Sequence, residues 1–333
     1  MNPNRNCCRV AFIGAGAMAR EHARAFAAAP RAAFAGIFSR TSAKAEQLAN
    51  EFASSQVCGS VSELYERTSA DLVVISVSPQ YTREIGLQCL EFPWCVLMEK
   101  PPGLDLDEAY VLKNAANRLQ RKVLVALNRR FYFSTRTALH DLEQRKGPRH
   151  VHIFDQQSIE FAAMLGHEKA VLDSWHYCNS IHMIDYLRIF GRGNPTVTHI
   201  SGTTSKTRNV LVAAVEFGSG DTAIYECIWN GPGPWAVMVT TPEKRWEMRP
   251  LENVFYQDAG SRALVPIATD PIDTNFKAGF RLQAEHAIAT ALGECSQSVT
   301  LDEAVETMRL VAEIYEGGKL SLRKGSPSFA ASK

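Results

Sequence analysis

The chain has 333 residues, a length that favours two domains of roughly 150 residues each and excludes a single small module. Lys and Arg number 36 and Asp and Glu number 35, so the net charge is +1 and provides no general attraction to nucleic acid or to an anionic membrane. We therefore expect neither as a partner, and any ligand must be recognised at a local site.

The first third of the chain alternates short apolar runs with helical stretches, which is the pattern of βαβ units around a parallel sheet. The predicted strands are Val10–Ile13, Ala33–Phe38, Leu72–Val77, Val96–Met98 and Val123–Leu127. The predicted helices are Met18–Ala29, Ser42–Phe52, Ser62–Arg67, Thr82–Leu90 and Leu106–Leu119. We expect the chain to cross into a second domain near Asn128, without a low-complexity linker.

After about Asn128 the apolar runs become longer and alternate with polar residues, which predicts an antiparallel sheet. Its predicted strands are His150–Gln156, Thr196–Thr204, Val210–Phe217, Thr222–Trp229, Ala236–Thr241 and Arg245–Pro250. The helices predicted beside it are Trp175–Phe190, Phe276–Leu292 and Leu301–Glu316.

A G-x-G-x-x-A element, formed by Gly14, Gly16 and Ala19, directly follows the first strand and precedes the first helix. Gly14 permits the tight turn, Gly16 lets the backbone approach a pyrophosphate, and Ala19 allows helix and strand to pack closely. The start of the helix at Ala17 and Met18 then faces the phosphates with unpaired N–H groups. We interpret the element as a dinucleotide site; the alternative is a glycine-rich turn that binds no ligand.

The end of the second strand bears on the choice between NAD and NADP. An acidic residue there binds the ribose 2′-hydroxyl, whereas a cation accommodates a 2′-phosphate. No carboxylate follows Phe38, and the sequence continues with Ser39, Arg40 and Thr41. Arg40 can pair with a phosphate to which the two hydroxyls donate, so we expect NADP to be preferred over NAD. Alternatively, Arg40 is a solvated loop residue or stacks on the adenine.

Lys100 follows the predicted strand Val96–Met98. Parallel sheets bind ligands outside the carboxyl ends of their strands, so Lys100 is expected where the nicotinamide and the substrate meet. Partial desolvation would lower its pKa and suit it to proton exchange with a hydroxyl or carbonyl group. We assign Glu99 to the cofactor site too, and expect Pro79 and Gln80 to contact the nicotinamide ribose. The alternative is an ordinary strand-end lysine paired with Glu99.

Four motifs occur in order between residues 14 and 185: the G-x-G-x-x-A element, Glu99-Lys100-Pro101, Asn128-Arg129-Arg130-Phe131 and His182-Met183-Ile184-Asp185. In order and spacing they resemble the Gfo/Idh/MocA family of glucose–fructose oxidoreductase, inositol dehydrogenase and their relatives. The resemblance implies an α/β protein with two domains. Residues 1–128 would form a Rossmann domain with a doubly wound parallel sheet, and residues 129–333 an α/β domain with a large open, mainly antiparallel sheet. In relatives the exposed face of that sheet often makes the oligomer contact, which implies a homodimer or homotetramer.

The resemblance also implies roles for individual residues. Lys100 would position the substrate or move its proton, Pro101 would follow a cis peptide bond, and His182 would lie near the substrate. Arg130, in the run that opens the second domain, is likewise assigned to the substrate site.

The helix that contains His182 departs from the family pattern. Dehydrogenases of the family commonly have an aspartate four residues before this histidine, whereas this chain has Cys178. A neutral thiol is a poor substitute for a carboxylate in orienting a histidine or accepting a proton. We therefore expect Lys100 and His182 to carry the catalysis, Asn179 to bind a substrate hydroxyl, and Cys178 and His176 to lie beside them. The alternative for His182 is a satisfied core histidine.

The predicted function is an NAD(P)-dependent oxidoreductase that moves hydride between the nicotinamide and a secondary alcohol or ketone carbon of a sugar, cyclitol or sugar derivative. The alternative is a non-catalytic NAD(P)-binding regulatory or interaction protein on the same scaffold, which the replacement of the carboxylate by Cys178 keeps open.

Three further features bear on location and metals. The sequence starts without a secretory signal, and no apolar run reaches the roughly 18 residues that span a bilayer. The eight cysteines are scattered through apolar segments, which indicates reduced thiols and a cytoplasmic protein. No set of potential ligands has a known metal-binding spacing, so no metal is expected.

Overall fold

The computed structural model describes residues 6–52, 56–202 and 210–324. In these ranges the strands form one sheet of six strands and one of eight. A 3₁₀ turn at Asn128–Phe131 connects the two halves, where the sequence predicts the crossover. None of the helices in the described ranges has the length and apolar character needed to cross a membrane.

The strands of the first sheet are β1 (Cys8–Ile13), β2 (Ala32–Phe38), β3 (Gln56–Cys58), β4 (Leu72–Ile75), β5 (Cys95–Met98) and β6 (Val123–Val125). All neighbouring pairs are parallel, in the order β3-β2-β1-β4-β5-β6. The order reverses between β1 and β4, which is where doubly wound sheets bind their ligands. The predicted parallel sheet is confirmed.

The crossover helices of this half are α1 (Ala17–Ala27), α2 (Ser42–Glu51), α3 (Val61–Thr68), α4 (Thr82–Leu90) and α5 (Leu106–Arg118). Side chains fix where two of them begin. The Ser60 hydroxyl accepts from the amide of Glu63 at 3.0 Å at the start of α3, and the Asp105 carboxylate accepts from the amide of Glu108 at 2.8 Å at the start of α5. A 3₁₀ turn at Pro79–Tyr81 precedes α4.

The strands of the second sheet are β7 (His150–Gln157), β8 (Pro195–Gly202), β9 (Val210–Phe217), β10 (Thr222–Trp229), β11 (Ala236–Thr240), β12 (Lys244–Met248), β13 (Val254–Asp258) and β14 (Val265–Ile267). The order is β14-β13-β12-β11-β7-β10-β9-β8, and among the described strands of this sheet β7 and β10 alone pair in parallel. Along β9, Leu211, Ala213 and Val215 are buried while Val210 and Glu216 are exposed. The sheet therefore packs one face and leaves the other open, as predicted.

The remaining helices are α6 (Phe133–Glu143), α7 (Ile159–Met164), α8 (Lys169–Asp173), α9 (Ile181–Phe190), α10 (Pro271–Asn275), α11 (Phe280–Ala291) and α12 (Leu301–Lys324). A π-helical turn at His176–Ser180 precedes α9 and interrupts the helix predicted over Trp175–Phe190. The helix predicted over Phe276–Leu292 begins only at Phe280. The helix does not begin earlier because Gly279, directly before it, has a φ of 76° and its amide donates to the Asp273 carboxylate at 2.8 Å.

The short elements escape sequence-based prediction. The strands that the sequence does not predict include β3 and β14, with three residues each, and the helices that it does not predict are α7, α8 and α10, with 6, 5 and 5 residues, too few to show a period. The strand β13, which lies between β12 and β14, is missed as well. The strand predicted to end at Thr204 is described as far as Gly202, and residues 203 and 204 lie outside the described residues.

The C-terminal part of the chain returns to the first sheet. Phe280 and Ala284 of α11 share a core with Val10 and Phe12 of β1. α12 packs against α5, and Thr300 just before it forms an isolated bridge with β6. The predicted division into domains at residue 128 therefore stays a prediction, because helices that follow residue 128 pack against the first sheet.

Candidate functional site

The G-x-G-x-x-A element forms the turn between β1 and α1. Gly14 has a φ of 103°, and a Cβ there would lie 2.0 Å from the carbonyl oxygen of Ser76, so the position requires glycine. A Cβ at Gly16 would meet nothing within 4 Å, which leaves open space beside the first turn of α1. No side chain caps that turn, so its N–H groups are available to an anion. The turn at Gly16, Ala17 and Met18 therefore fits the phosphates of a dinucleotide.

Two cavities adjoin this turn. The first, of about 350 Å³, lies at the end of β2 and is lined by residues that include Gly14, Ser39, Arg40, Thr41, Lys44 and Tyr81. The second, of about 470 Å³, lies at the end of β5 and is lined by residues that include Ala17, Met18, Glu99, Lys100, Cys178, Asn179 and His182. Both cavities reach Gly16 and the segment 76–78 after β4. Together they fit an extended dinucleotide whose phosphates lie at Gly16.

The first cavity holds positive charge near the end of β2. The guanidinium of Arg40 lies 3.9 Å from the centre of the Tyr81 ring, and Lys44 lines the same cavity. The Oγ of Ser39 accepts from the amide of Thr41 at 3.3 Å, which stabilises the turn that carries Arg40. Stacking on Tyr81 holds the guanidinium plane and leaves its edge N–H groups for an anion.

Lys100 extends from the carboxyl end of β5 into the second cavity. Its Nζ donates to the carbonyl oxygen of Cys178 at 2.6 Å. The Lys100–Pro101 peptide is cis, as the family resemblance implies. Burial lowers the pKa of Lys100, an effect that the neighbouring Glu99 carboxylate opposes. A lysine with a lowered pKa exchanges its proton more readily near neutral pH.

Glu99 is paired with a histidine that the sequence patterns do not single out. The Nε2 of His22, on α1, lies 2.7 Å from the Oε1 of Glu99, and His22 is 1% exposed. Although burial raises the pKa of Glu99, the hydrogen bond and charge of His22 together with the charge of Lys100 hold it below its usual value. Glu99 is therefore an ionised neighbour of Lys100. His22 follows the glycine turn by one helical turn, but only the adjacency of α1 and β5 reveals the pair.

His182 lies in the first turn of α9, directly after the π-helical turn. Its Nδ1 is buried and has no hydrogen-bond partner among the described residues. Burial, together with the charges of Lys100, Arg129 and Lys277, holds the pKa of His182 well below its usual value. The imidazole is therefore neutral near pH 7 and able to accept a proton.

The residues before His182 divide into two groups. Cys178 and Asn179 line the second cavity. Burial raises the pKa of the Cys178 thiol to about 11, although Lys100 lowers it, so the thiol is neutral. His176 lines neither cavity, and its Nε2 lies 3.4 Å from Glu316 instead. The structure therefore brings Cys178 and Asn179, but not His176, to the cavity of Lys100 and His182.

Arg130 also lies away from the second cavity. Its guanidinium pairs with both carboxylate oxygens of Asp185 at 2.8 Å and with Glu303 at 3.0 Å. Asp185 is 2% exposed, so this ion pair ties the 3₁₀ turn to α9 and α12 inside the fold. The position of Arg130 does not favour the substrate contact predicted for it. The neighbouring Arg129 faces the cavity instead.

Other lining residues complete the comparison with the sequence-based prediction. Pro79 lines the second cavity, whereas Gln80 lines neither. Arg129, Tyr132 and Lys277 line it without having been singled out as site residues. Arg129 belongs to the Asn128-Arg129-Arg130-Phe131 motif and Tyr132 directly follows it, but no local pattern marks Lys277. In the described ranges, no group of His, Cys, Asp or Glu side chains is arranged to hold a metal ion.

The six-stranded parallel sheet, its uncapped glycine turn and the adjoining cavities define a dinucleotide-binding fold of the Rossmann class. Residues 8–127 match the model of an oxidoreductase family with an NAD-binding Rossmann fold, Gfo/Idh/MocA. The resemblance inferred from the motifs is confirmed, and this match covers the part of the chain that forms the six-stranded sheet.

The chain is similar in sequence to a known protein over about a third of its length, and similar in fold to solved structures over nearly all of it. A glucose-6-phosphate 3-dehydrogenase of Bacillus subtilis (strain 168) is 31% identical over 124 residues, which are 37% of this chain and 34% of that protein. The match thus spans about a third of that relative. A dehydrogenase structure from Chromobacterium violaceum has a TM-score of 0.80 at 18% identity, covering 96% of this chain and 98% of that one. A 3-ketoreductase from Actinomadura kijaniata in complex with NADP and TDP-benzene has a TM-score of 0.73 at 16% identity, covering 93% and 97%. These two structures share the fold over nearly the whole length of the chain.

Proposed function

We propose that the protein is an NAD(P)-dependent oxidoreductase that transfers hydride between the nicotinamide and a secondary alcohol or ketone carbon of a sugar, cyclitol or sugar derivative. The observation that carries this proposal is that Lys100 and His182 line one cavity, which reaches the glycine turn at Gly16. A volume of about 470 Å³ suits a ligand of sugar size. The partial match to a dehydrogenase that acts on glucose 6-phosphate supports a sugar as the substrate class.

The side chains in the cavity suit proton transfer at the reacting oxygen. When bound, the nicotinamide supplies the hydride chemistry. During alcohol oxidation, neutral His182 would accept the hydroxyl proton while Lys100 donates a hydrogen bond to the same oxygen and stabilises its developing negative charge. During reduction the oxygen would take a proton back from His182 or Lys100. Asn179 would bind a neighbouring hydroxyl group of the substrate.

NADP is the proposed cofactor in preference to NAD. Arg40 and Lys44 place two positive charges in the cavity at the end of β2, where no carboxylate follows the strand. The ketoreductase of the same fold is described with NADP, which supports the choice. Fluorescence titration with NADPH and NADH tests it, and equal affinities for the two would contradict it.

The reaction is tested by measuring cofactor binding first and then screening for substrates. After the titrations, polyols, keto sugars, sugar phosphates and nucleotide sugars are screened for a change in nicotinamide absorbance, with Lys100→Ala as the inactive comparison. Turnover that depends on Lys100 supports the proposal. Tight cofactor binding without turnover anywhere in the panel would favour the non-catalytic alternative, which the cavity shared by Lys100 and His182 argues against.

A homodimer or homotetramer formed through the open face of the eight-stranded sheet is also proposed. His152, Ile224 and Met238 are in register on this face and only half-buried. Light scattering of the purified chain tests the proposal, and a monomer would contradict it. The cytoplasmic location predicted from the cysteines is tested by cell fractionation.

A further inference from the structure

The second cavity contains a buried arginine that forms no direct ion pair with a carboxylate of the described residues. Arg129 is 7% exposed. It donates through Nη1 to the thioether of Met183 at 3.0 Å, and its guanidinium lies 4.2 Å from the centre of the Trp235 ring. The hydroxyl of Tyr132, a neutral phenol whose pKa is raised by burial, is also hydrogen-bonded to Arg129, and the carboxyl of Asp155 interacts with the charge of Arg129 without a direct ion pair. A thioether is a weak acceptor, a phenol is neutral and the indole meets only the flat side of the guanidinium, so none of these contacts supplies an anionic acceptor.

Arg130, the adjacent arginine, has the carboxylate partners that Arg129 lacks. Arg130 forms a bidentate pair with Asp185 and a further pair with Glu303. Both carboxylates are therefore engaged by Arg130. A guanidinium stays charged at every physiological pH, and burying it without a counter-charge is strongly unfavourable. The surroundings of Arg129 therefore indicate that a bound anionic ligand supplies its counter-charge.

The rest of the cavity is also positive. Lys100 and Lys277 line it together with Arg129. Glu99, the one carboxylate among its described lining residues, is held by His22 at 2.7 Å. A positive cavity with low-dielectric walls concentrates anionic ligands.

We propose that the substrate is an anionic sugar whose phosphate or carboxylate group pairs with Arg129, while the reacting carbon lies between Lys100 and His182. This inference rests on the proposed hydride transfer and narrows its substrate class. The planar fork of Arg129, held flat by Trp235, matches two oxygens of either anion. Lys277, exposed at the cavity, adds attraction. A neutral polyol would leave the arginine unpaired.

The test is isothermal titration of the NADP⁺-loaded full chain with glucose, glucose 6-phosphate, glucuronate and inorganic phosphate. The wild type is expected to bind an anionic probe about ten- to a hundredfold more tightly than glucose. Arg129→Gln should abolish this preference, and Arg129→Lys should keep part of it, because the charge remains but the fork is lost. Arg262→Gln, which removes an exposed arginine outside both cavities, should keep all of it. The affinities for glucose 6-phosphate and for glucuronate show whether a phosphate or a carboxylate is the preferred anion.

Three results would overturn the inference. The anionic probes could bind no more tightly than glucose or not at all, or the preference for them could persist in Arg129→Gln. The third is a parallel loss of NADPH affinity in Arg129→Gln, which would assign Arg129 to the cofactor. If Arg129→Gln does not fold, the comparison of the wild type with Arg129→Lys decides. Turnover is measured separately. Anion preference without hydride transfer to any sugar refutes the proposed reaction alone, and turnover of neutral sugars without anion preference refutes this inference alone.

Discussion

The Nζ of Lys100 lies 2.6 Å from the carbonyl oxygen of Cys178, so the end of β5 is hydrogen-bonded to the π-helical turn before α9. The acceptor is a backbone oxygen, and its position does not depend on the side chain at residue 178. The replacement of the carboxylate common in the family therefore leaves this anchor of Lys100 intact. An ammonium has three N–H donors, so a substrate oxygen can use another of them.

Replacement of Lys100 should affect turnover far more than cofactor binding. In Lys100→Met the reacting oxygen loses a donor and a positive charge, and kcat is expected to fall by about 10²–10⁴-fold. NADPH affinity, measured by fluorescence, should be retained, because the glycine turn and Arg40 are unchanged. Lys146→Met, at an exposed loop position, is the matched control and should keep full activity. Near wild-type turnover in Lys100→Met would show that Lys100 has no catalytic role.

His182 should make stability depend on pH. Its folded-state pKa lies well below the ordinary value of 6.5, so between these two values the unfolded chain binds a proton that the folded chain does not. Stability is therefore lost as the pH falls below about 6.5, with a slope of at most about 1.4 kcal/mol per pH unit for this group. Burial lowers the pKa of His152 and His286 too, and these act in the same direction.

The measurement is urea unfolding at about pH 7.5 and about pH 5.5. The wild type should lose more unfolding free energy between these values than His182→Gln, in which the other histidines still titrate. His140→Gln, at an exposed position on α6, is the control and should resemble the wild type. Equal losses in wild type and His182→Gln would contradict the neutral, buried state of His182.

The cofactor half of the site follows from the sequence more completely than the substrate half. Gly14, Gly16 and Lys100 lie at strand ends, and the topology of a parallel sheet brings all such ends to one edge. Arg129 and Arg130 are adjacent and chemically identical, so only the geometry of the 3₁₀ turn decides which one enters the cavity. Pairs such as His22 with Glu99, and distant contributors such as Lys277, depend on tertiary packing that no local period encodes.

Arg40 should discriminate between the two nicotinamide cofactors. Arg40→Ser is expected to weaken NADPH binding by about tenfold or more and to leave NADH binding little changed, because only the 2′-phosphate loses a charge-assisted pair. Tyr81→Leu separates pairing from stacking, since the loss of a stacking platform would weaken both cofactors alike. Fluorescence titrations of the two variants measure this. Equal losses for NADPH and NADH in Arg40→Ser would mean that Arg40 only stacks.

Arg130 should contribute to folding rather than to substrate binding. Arg130→Met leaves the buried carboxylate of Asp185 without its main partner and is expected to lower the unfolding free energy by about 3–5 kcal/mol. Thr307 still donates to that carboxylate at 2.8 Å, but a hydroxyl does not replace the charge. Arg130→Met combined with Asp185→Leu should recover much of the loss in urea unfolding. If Arg130→Met is stable and raises KM, the substrate role predicted from the sequence is right.

Gln157 should act on the substrate through Asn179. Its Oε1 accepts from the Nδ2 of Asn179 and from the Nε1 of Trp175, each at 2.8 Å, and its Nε2 donates to Asp155 at 2.6 Å. Since the Asn179 NH₂ group is engaged, its carbonyl oxygen is the end available to a substrate hydroxyl. Gln157→Leu leaves both donors without an acceptor, which costs about 1–3 kcal/mol for each buried group.

The expected result for Gln157→Leu is a lower unfolding free energy and a raised KM with little change in kcat, because the contact proposed for Asn179 would be the same in the substrate and in the transition state. Gln156→Leu is the matched control. This neighbour lies on the other face of β7 and donates to the carbonyl of Gly231 at 2.9 Å, so its loss should leave KM unchanged. Steady-state kinetics and urea unfolding of the two variants provide the comparison. A loss of stability in Gln157→Leu with an unaltered KM would confine Gln157 to a role in folding.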